Sequence, residues 1–212
     1  MMKGIFITFE GIDGTGKTTQ QHLVAQVLRD RGYDVVESRE PGGTQLAESV
    51  RKLVLDASLP LTTDTQTLLY LAARSEHVNK LLRPSLAAGK IVICDRFSDS
   101  TLVYQGLAQG KSITELDTLR QLNAFATGGL VPDLTLVFDA SPEALLARRV
   151  QRGVSDRYEQ QGLEFQQHLR AGFLQLAKHE PQRIKLIDAG GNVEEVSRAV
   201  LIAIDSVLDE EQ

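Results

Sequence analysis

The sequence predicts an α/β fold built on a parallel, doubly wound sheet, and three observations carry that prediction. Five short apolar runs, Ile5–Phe9, Asp34–Glu37, Ile91–Cys94, Leu134–Phe138 and Ile184–Ile187, are separated by longer segments with helical spacing. Most of these runs are continuous in Val, Ile, Leu or Phe rather than alternating, as strands covered on both faces require. The first run leads straight into a glycine-rich turn and then a helix.

Taken in order, the first run follows Met1–Gly4. Its single lysine and short apolar stretch, with no small-residue cleavage site behind it, read as a strand rather than a signal peptide. The helix Lys17–Arg31 ends at Gly32, a natural C-cap. A second helix, Asp64–Leu82, is expected to stop before Arg83-Pro84, because proline removes an amide donor. Ser141 supplies an N-cap with Pro142 at the first helical position. Asn192 and Glu195 form a capping-box pattern, followed by an apolar stripe of Val193, Val196, Val200, Ile204 and Val207. The acidic tail Asp209–Gln212 is expected to fray. With no repeat, low-complexity tract or linker, residues 1–212 read as one domain.

The bulk composition excludes several classes. A net charge of −5 argues against a general nucleic-acid binder, since phosphate backbones attract basic surfaces. No run approaches the roughly 18 apolar residues of a membrane span. The lone Cys94 excludes an intrachain disulfide and a zinc-binding cysteine cluster, and its apolar surroundings read as a buried, inert thiol. The expected location is cytoplasmic.

Gly11-Ile12-Asp13-Gly14-Thr15-Gly16-Lys17-Thr18 matches the phosphate-loop pattern in full and in the required strand–turn–helix context. Glycines there let successive N–H groups turn inward around anionic oxygens, and the helix start adds a positive dipole end. Lys17 is the mobile cation for the β and γ phosphates of a nucleoside triphosphate, and the Thr18 hydroxyl suits Mg²⁺. A guanine-reading Asn-Lys-x-Asp is not formed by Asn79-Lys80-Leu81-Leu82, so a GTPase switch is not indicated.

Ile91–Cys94 is followed by Asp95-Arg96. A carboxylate at a strand's C-terminal end beside the loop is where Mg²⁺ or its waters are held, and the arginine can fork onto a phosphate. Asp139, ending another strand, competes for the carboxylate role; the arginine after Asp95 favours Asp95. Arg148, Arg149, Arg152 and Arg157 cluster near Gly153 and read either as a solvated helix face or as a mobile lid over about 148–160. Tyr70 and Arg74 share a helix face and together offer a ring and a cation, or else a core tyrosine beside a surface arginine.

Together these residues resemble the thymidylate kinase family of bacterial type, over essentially the whole chain. The pieces that carry the resemblance are Phe9–Gln20, Arg39–Thr44, Ala72–Arg74, Asp95–Phe97 with Ser100-Thr101 and Tyr104–Gly106, and Arg152-Gly153 with Asp156-Arg157. The resemblance implies a P-loop, three-layer, adenylate-kinase-like fold with a five-stranded parallel sheet, assembled as a homodimer. It implies the reaction ATP + dTMP → ADP + dTDP with Mg²⁺, a step of dTTP synthesis. Carried over by position, Tyr70 would stack on thymine and Arg74 would bond its polar edge. Arg39 and Arg96 would hold the acceptor phosphate, in a dTMP site that also includes Ser100, Thr101 and Gln105. Tyr104 would lie where a ribose 2′-hydroxyl clashes. Asp13 would sit near the sugar 3′-hydroxyl and the magnesium. Glu40–Pro41 would be a cis peptide. Some family members carry a catalytic arginine inside the loop; here Asp13-Gly14-Thr15 has none, so the resemblance moves that charge to Arg152, with Arg157 second.

An acceptor phosphate needs no general base, because its second pKa lies near 6, and none of the four histidines stands out as catalytic. A deoxynucleoside kinase would need a base, and Glu40 is the candidate; Arg39, Arg74 and Arg96 favour an acceptor already phosphorylated. A nucleotide-dependent switch is the non-enzymatic alternative.

Overall fold

The computed structural model describes residues 3–149, 158 and 161–210. Among them, β1 (Ile5–Glu10), β2 (Val35–Arg39), β3 (Ile91–Asp95), β4 (Leu134–Asp139) and β5 (Ile184–Asp188) form one sheet in the order β2-β3-β1-β4-β5, every pair parallel. Each apolar run became a strand. The largest adjustment is in β2, which runs on to Arg39. The central strand β1 is buried throughout, whereas edge strand β5 exposes Lys185 and Leu186.

The sheet is wrapped by α1 (Lys17–Asp30), α2 (Gln45–Leu55), α3 (Thr63–His77), α4 (Arg83–Ala87), α5 (Ser98–Tyr104), α6 (Asp117–Thr127), α7 (Pro142–Arg149), α8 (Gly162–His179) and α9 (Val193–Glu210). Successive side chains of β1 and β3 enter separate cores. Ile5, Ile7, Phe9, Ile91 and Ile93 pack with Val24 and Leu28 of α1, while Phe6, Val92 and Cys94 pack with Val78, Leu82 and Phe97. Burial on both faces explains why these strands lack alternation. Cys94 is fully buried, and burial pushes its thiol well above the usual range.

Two expectations require correction. The helix does not stop before Arg83-Pro84; α3 passes through a π-helical turn, Val78–Leu82, directly into α4. In a regular helix the ring of Pro84 would meet the carbonyl of Lys80. Here the Arg83 N–H reaches back to the Val78 carbonyl, and the widened turn accommodates the ring. The tail is also more ordered than expected. α9 includes Asp209 and Glu210, anchored by buried Leu208; Glu211 and Gln212 lie outside the described residues. Its capping box forms as expected, with Asn192 N–H on Glu195 and Glu195 N–H on Asn192, both at 2.9 Å.

A buried polar network ties α5 to the sheet. Arg183 forks onto Asp99 at 2.7 and 2.9 Å, Thr135 donates to Asp99, and Thr8 meets Thr135 at 2.7 Å. Without Asp99, Arg183 keeps its pair with Glu180 at 2.8 Å, but two of its donors and the buried Thr135 hydroxyl lose their acceptor. Asp99→Ala is therefore expected to lose about 1–3 kcal/mol of stability, read by urea unfolding; a loss below about 0.5 kcal/mol would contradict the network's role.

The register aligns the functional ends of the strands. Arg39 lies opposite Asp95, and Asp95 opposite Phe9, so the segments after β1, β2 and β3 emerge along one edge. In an open α/β sheet, ligands bind at this carboxyl edge. No helix among the described residues is long and apolar enough to cross a membrane.

Candidate active site

The glycine-rich turn leaves β1 against β4. A Cβ on Gly11 would lie 2.5 Å from the Phe138 carbonyl, so only glycine permits that approach. Gly16 has open space around it, but its φ of 89° at the start of α1 calls for glycine on conformational grounds. No side chain caps α1 and no acidic residue occupies its first turn, which leaves its N–H groups for an anion. Lys17 is buried, and its ammonium donates to the Gly11 and Ile12 carbonyls at 3.0 and 2.9 Å. Burial, and then Arg96, lower its pKa.

Thr18 donates to Asp95 Oδ2 at 3.0 Å, and the other oxygen of Asp95 is buried without a hydrogen-bond partner. Its competitor Asp139 is engaged elsewhere, in a fork from Arg170 at 2.6 and 2.9 Å. Lys17, Thr18, Asp95, Arg39, Arg51 and Arg96 line one polar cavity that contains the turn.

A second cavity, open to solvent, adjoins the first and shares Asp13, Glu40, Arg51 and Arg96 with it. It brings together Pro41, Tyr70, Arg74, Ser100, Thr101, Tyr104 and Gln105 from separate parts of the chain. Glu40–Pro41 is a cis peptide.

Arg74 is buried rather than displayed on a surface. It donates to Glu40 at 2.7 Å, to Thr101 at 2.8 Å, to the Phe97 carbonyl at 2.9 Å and to Asn123. The second Glu40 oxygen meets His77, whose far nitrogen meets Ser38 at 2.6 Å. With both oxygens engaged, Glu40 is not placed to deprotonate an acceptor hydroxyl. This geometry weighs against the deoxynucleoside kinase alternative.

Arg96 adopts a φ of 69°, the one non-glycine residue among those described with positive φ. Its guanidinium donates to Asp13 at 2.7 Å and Ser100 at 3.2 Å and lies 5.0 Å over the Tyr104 ring. Burial opposes its charge, but the carboxylates of Asp13, Asp95 and Glu10 hold it firmly cationic. Arg39 instead donates from one nitrogen, Nη2, to both oxygens of Glu48 at 2.9 and 3.0 Å and lines only the first of the two cavities. The Tyr104 hydroxyl is buried with no partner, and burial raises its pKa well above 10.0.

Sequence reasoning missed three participants. Arg51, on α2, lines both cavities and donates to the Pro41 carbonyl at 3.1 Å; next to Lys52 it reads as a solvated helix face. Tyr158 accepts from Tyr70 and Gln105, each at 3.2 Å, and donates to Gln66 at 2.9 Å, which supplies the Tyr70 hydroxyl with its partner. Glu10, fully buried at the end of β1, faces the segment after Arg96; burial pushes its carboxyl up to about 7 against the pull of Arg96. Arg152 and Arg157, expected in the lid, lie outside the described residues.

Similarity to known proteins extends over nearly the whole chain. The thymidylate kinase family model matches residues 9–200. A thymidylate kinase of Symbiobacterium thermophilum is 47% identical over 205 residues, covering 96% of this chain and 94% of that protein. One of Synechococcus sp. strain JA-3-3Ab is 52% identical over 196 residues, covering 92% and 93%. The crystal structure of thymidylate kinase from Ehrlichia chaffeensis superposes with a TM-score of 0.77 at 38% identity, covering 96% of this chain and 99% of that one.

Proposed function

The chain belongs to the thymidylate kinase family, which phosphorylates dTMP to dTDP with ATP, and we propose that its two adjoining cavities perform that transfer, one for each nucleotide. The observation that carries this reading is the sharing of Asp13, Arg51 and Arg96 between a phosphate loop and a pocket lined by Tyr70, Arg74 and Tyr104.

The donor lies with its phosphates in Gly11–Thr18, where the ammonium of Lys17 exchanges the Gly11 and Ile12 carbonyls for phosphate oxygens. The acceptor base enters between Tyr70 and Arg74, whose guanidinium is held rigidly by Glu40, Thr101 and Asn123. Arg96 and Arg51 converge on the acceptor phosphate. Arg39 joins them once it turns from the exposed Glu48 pair, which costs little to break. Ser100, Thr101 and Gln105 complete the sugar and base contacts. Arg152, with Arg157 second, supplies the further positive charge for the transferring group.

Mg²⁺ fits Thr18 and Asp95. A buried carboxylate oxygen without a partner beside a threonine hydroxyl is a hard-oxygen pair next to the phosphates. Among the described residues no cluster of three or more His, Cys, Asp or Glu side chains could cage a metal, so phosphate oxygens and water would complete its ligands. When bound, the ion neutralises phosphate charge. The protein's own part is to hold two polyanions in line.

A panel of nucleoside monophosphates in a coupled ADP-release assay tests the reading, with dTMP expected to turn over fastest; faster turnover of thymidine would overturn it. Within that panel Tyr104→Ala is expected to narrow the preference for deoxyribose, since its ring stands where a 2′-hydroxyl would lie. An unchanged preference would remove that role.

We also propose a homodimer built on α2, α3 and α6. Leu46, Leu53, Leu68 and Phe125 are exposed on these helices, Phe125 by 89%. Sedimentation equilibrium is expected to give twice the chain mass of 23.3 kDa, and a monomer at micromolar concentration would refute it. Free nucleotides as substrates and a reduced thiol suit the cytoplasm.

A further inference from the structure

We propose that Glu10 is a positioning residue for the acceptor phosphate: it fixes the Arg96–Ser100 turn to the stem of the phosphate loop. The proposal rests on assigning Arg96 to the acceptor phosphate.

Three donors converge on this one carboxylate. Phe97 and Ser100 give their N–H groups at 2.8 and 3.1 Å, and the Ser100 hydroxyl donates at 2.6 Å. Glu10 is 0% exposed, so water cannot replace it for these donors. One residue earlier, the Phe9 carbonyl accepts the Arg96 N–H at 2.8 Å. Consecutive amides, 96 and 97, are therefore bonded to consecutive residues, 9 and 10. The carbonyls of the same turn are held as well, Arg96 by the Cys94 thiol and Phe97 by Arg74.

This pinning accounts for the backbone of Arg96. A non-glycine residue persists at a φ of 69° only where its surroundings enforce it. The consequence is functional. Glu10 immediately precedes Gly11, the first residue of the donor cradle, so the Arg96 guanidinium is presented at a fixed distance from the donor phosphates. In-line transfer depends on that distance being held to within a fraction of an ångström.

The test is calorimetric titration of the full chain with dTMP and, separately, with a non-transferable ATP analogue. Glu10→Gln, Glu10→Asp and Arg96→Ala are compared with the parent, each with a thermal melt. Glu10→Gln keeps an oxygen for the two N–H groups but loses the charge and the acceptor for the Ser100 hydroxyl. It is expected to bind dTMP about tenfold or more weakly while binding the ATP analogue within about twofold of the parent. If Arg96→Ala loses dTMP affinity but Glu10→Gln does not, the positioning role is wrong and the site reading stands. If Arg96→Ala binds dTMP normally, the site reading itself fails. Equal weakening of both ligands by Glu10→Gln, with a lowered melt, marks a merely structural residue and overturns the proposal. Should Glu10→Gln not fold, Glu10→Asp decides. Its retracted carboxylate must show the acceptor-selective loss, and parental dTMP affinity in that variant refutes the inference.

Discussion

Lys17→Ala is expected to lower turnover by about 10³-fold or more while leaving the chain folded. The loss follows from charge. Two polyanions must approach in line, and the ammonium is the cation built into the donor loop itself. The folded state tolerates the change for a related reason. Burial already lowers the pKa of Lys17, so its charge is held at a desolvation cost that alanine removes. The carbonyls of Gly11 and Ile12 lose a donor but border an open polar cavity where water replaces it. Steady-state ADP release at saturating ATP and dTMP, paired with a thermal melt, separates the effects. Turnover within about tenfold of the parent would show that the cradle's N–H groups and the arginines suffice without it.

The sheet was legible because burial on both faces writes a simple pattern. Ile5–Phe9 and Ile91–Cys94 are continuous apolar runs, and only such runs suit a strand covered by helices on either side. α1 and α9 were legible through local caps at Gly32 and Asn192, whose bonds form within a few residues. α5 announces itself poorly for the opposite reason. Its first residues are preceded by Phe97, which cannot cap, and the acceptor for the Phe97 and Ser100 N–H groups is Glu10, ninety residues or so away in the chain. Pro84 misled because the π turn before it relieves a clash that local rules treat as fixed.

The site divides along the same line. The phosphate loop is contiguous, so all of its residues were readable at once. Arg51 and Tyr158 enter through tertiary packing, one from a helix face and one from an arginine-rich stretch where a lone aromatic carries no pattern. Arg74 was named, but its burial and its four partners were not, because they come from the segment after β2, from α5 and α6 and from the turn at Phe97.

Arg96→Gly is expected to lower turnover by about 10³-fold, with a melting temperature above that of Arg96→Ala. Glycine adopts a φ of 69° without the steric cost that arginine bears there. The backbone bonds to Phe9 and Glu10 do not depend on the side chain, so the turn keeps its anchors. What disappears is the guanidinium between Asp13 and Ser100, a cation that lines both cavities and reaches across to the donor loop at Asp13. Arg96→Ala serves as the partner variant, because it removes the same charge and keeps the strain. The two should be equally impaired in ADP release, with the glycine variant the more stable in urea. A glycine variant much less stable than alanine would mean that the left-handed backbone is not strained. Equal stability with full activity would mean that neither the strain nor the charge serves transfer. The expected outcome identifies a residue that the fold holds against its own conformational preference, as active sites do when geometry is retained at the expense of stability.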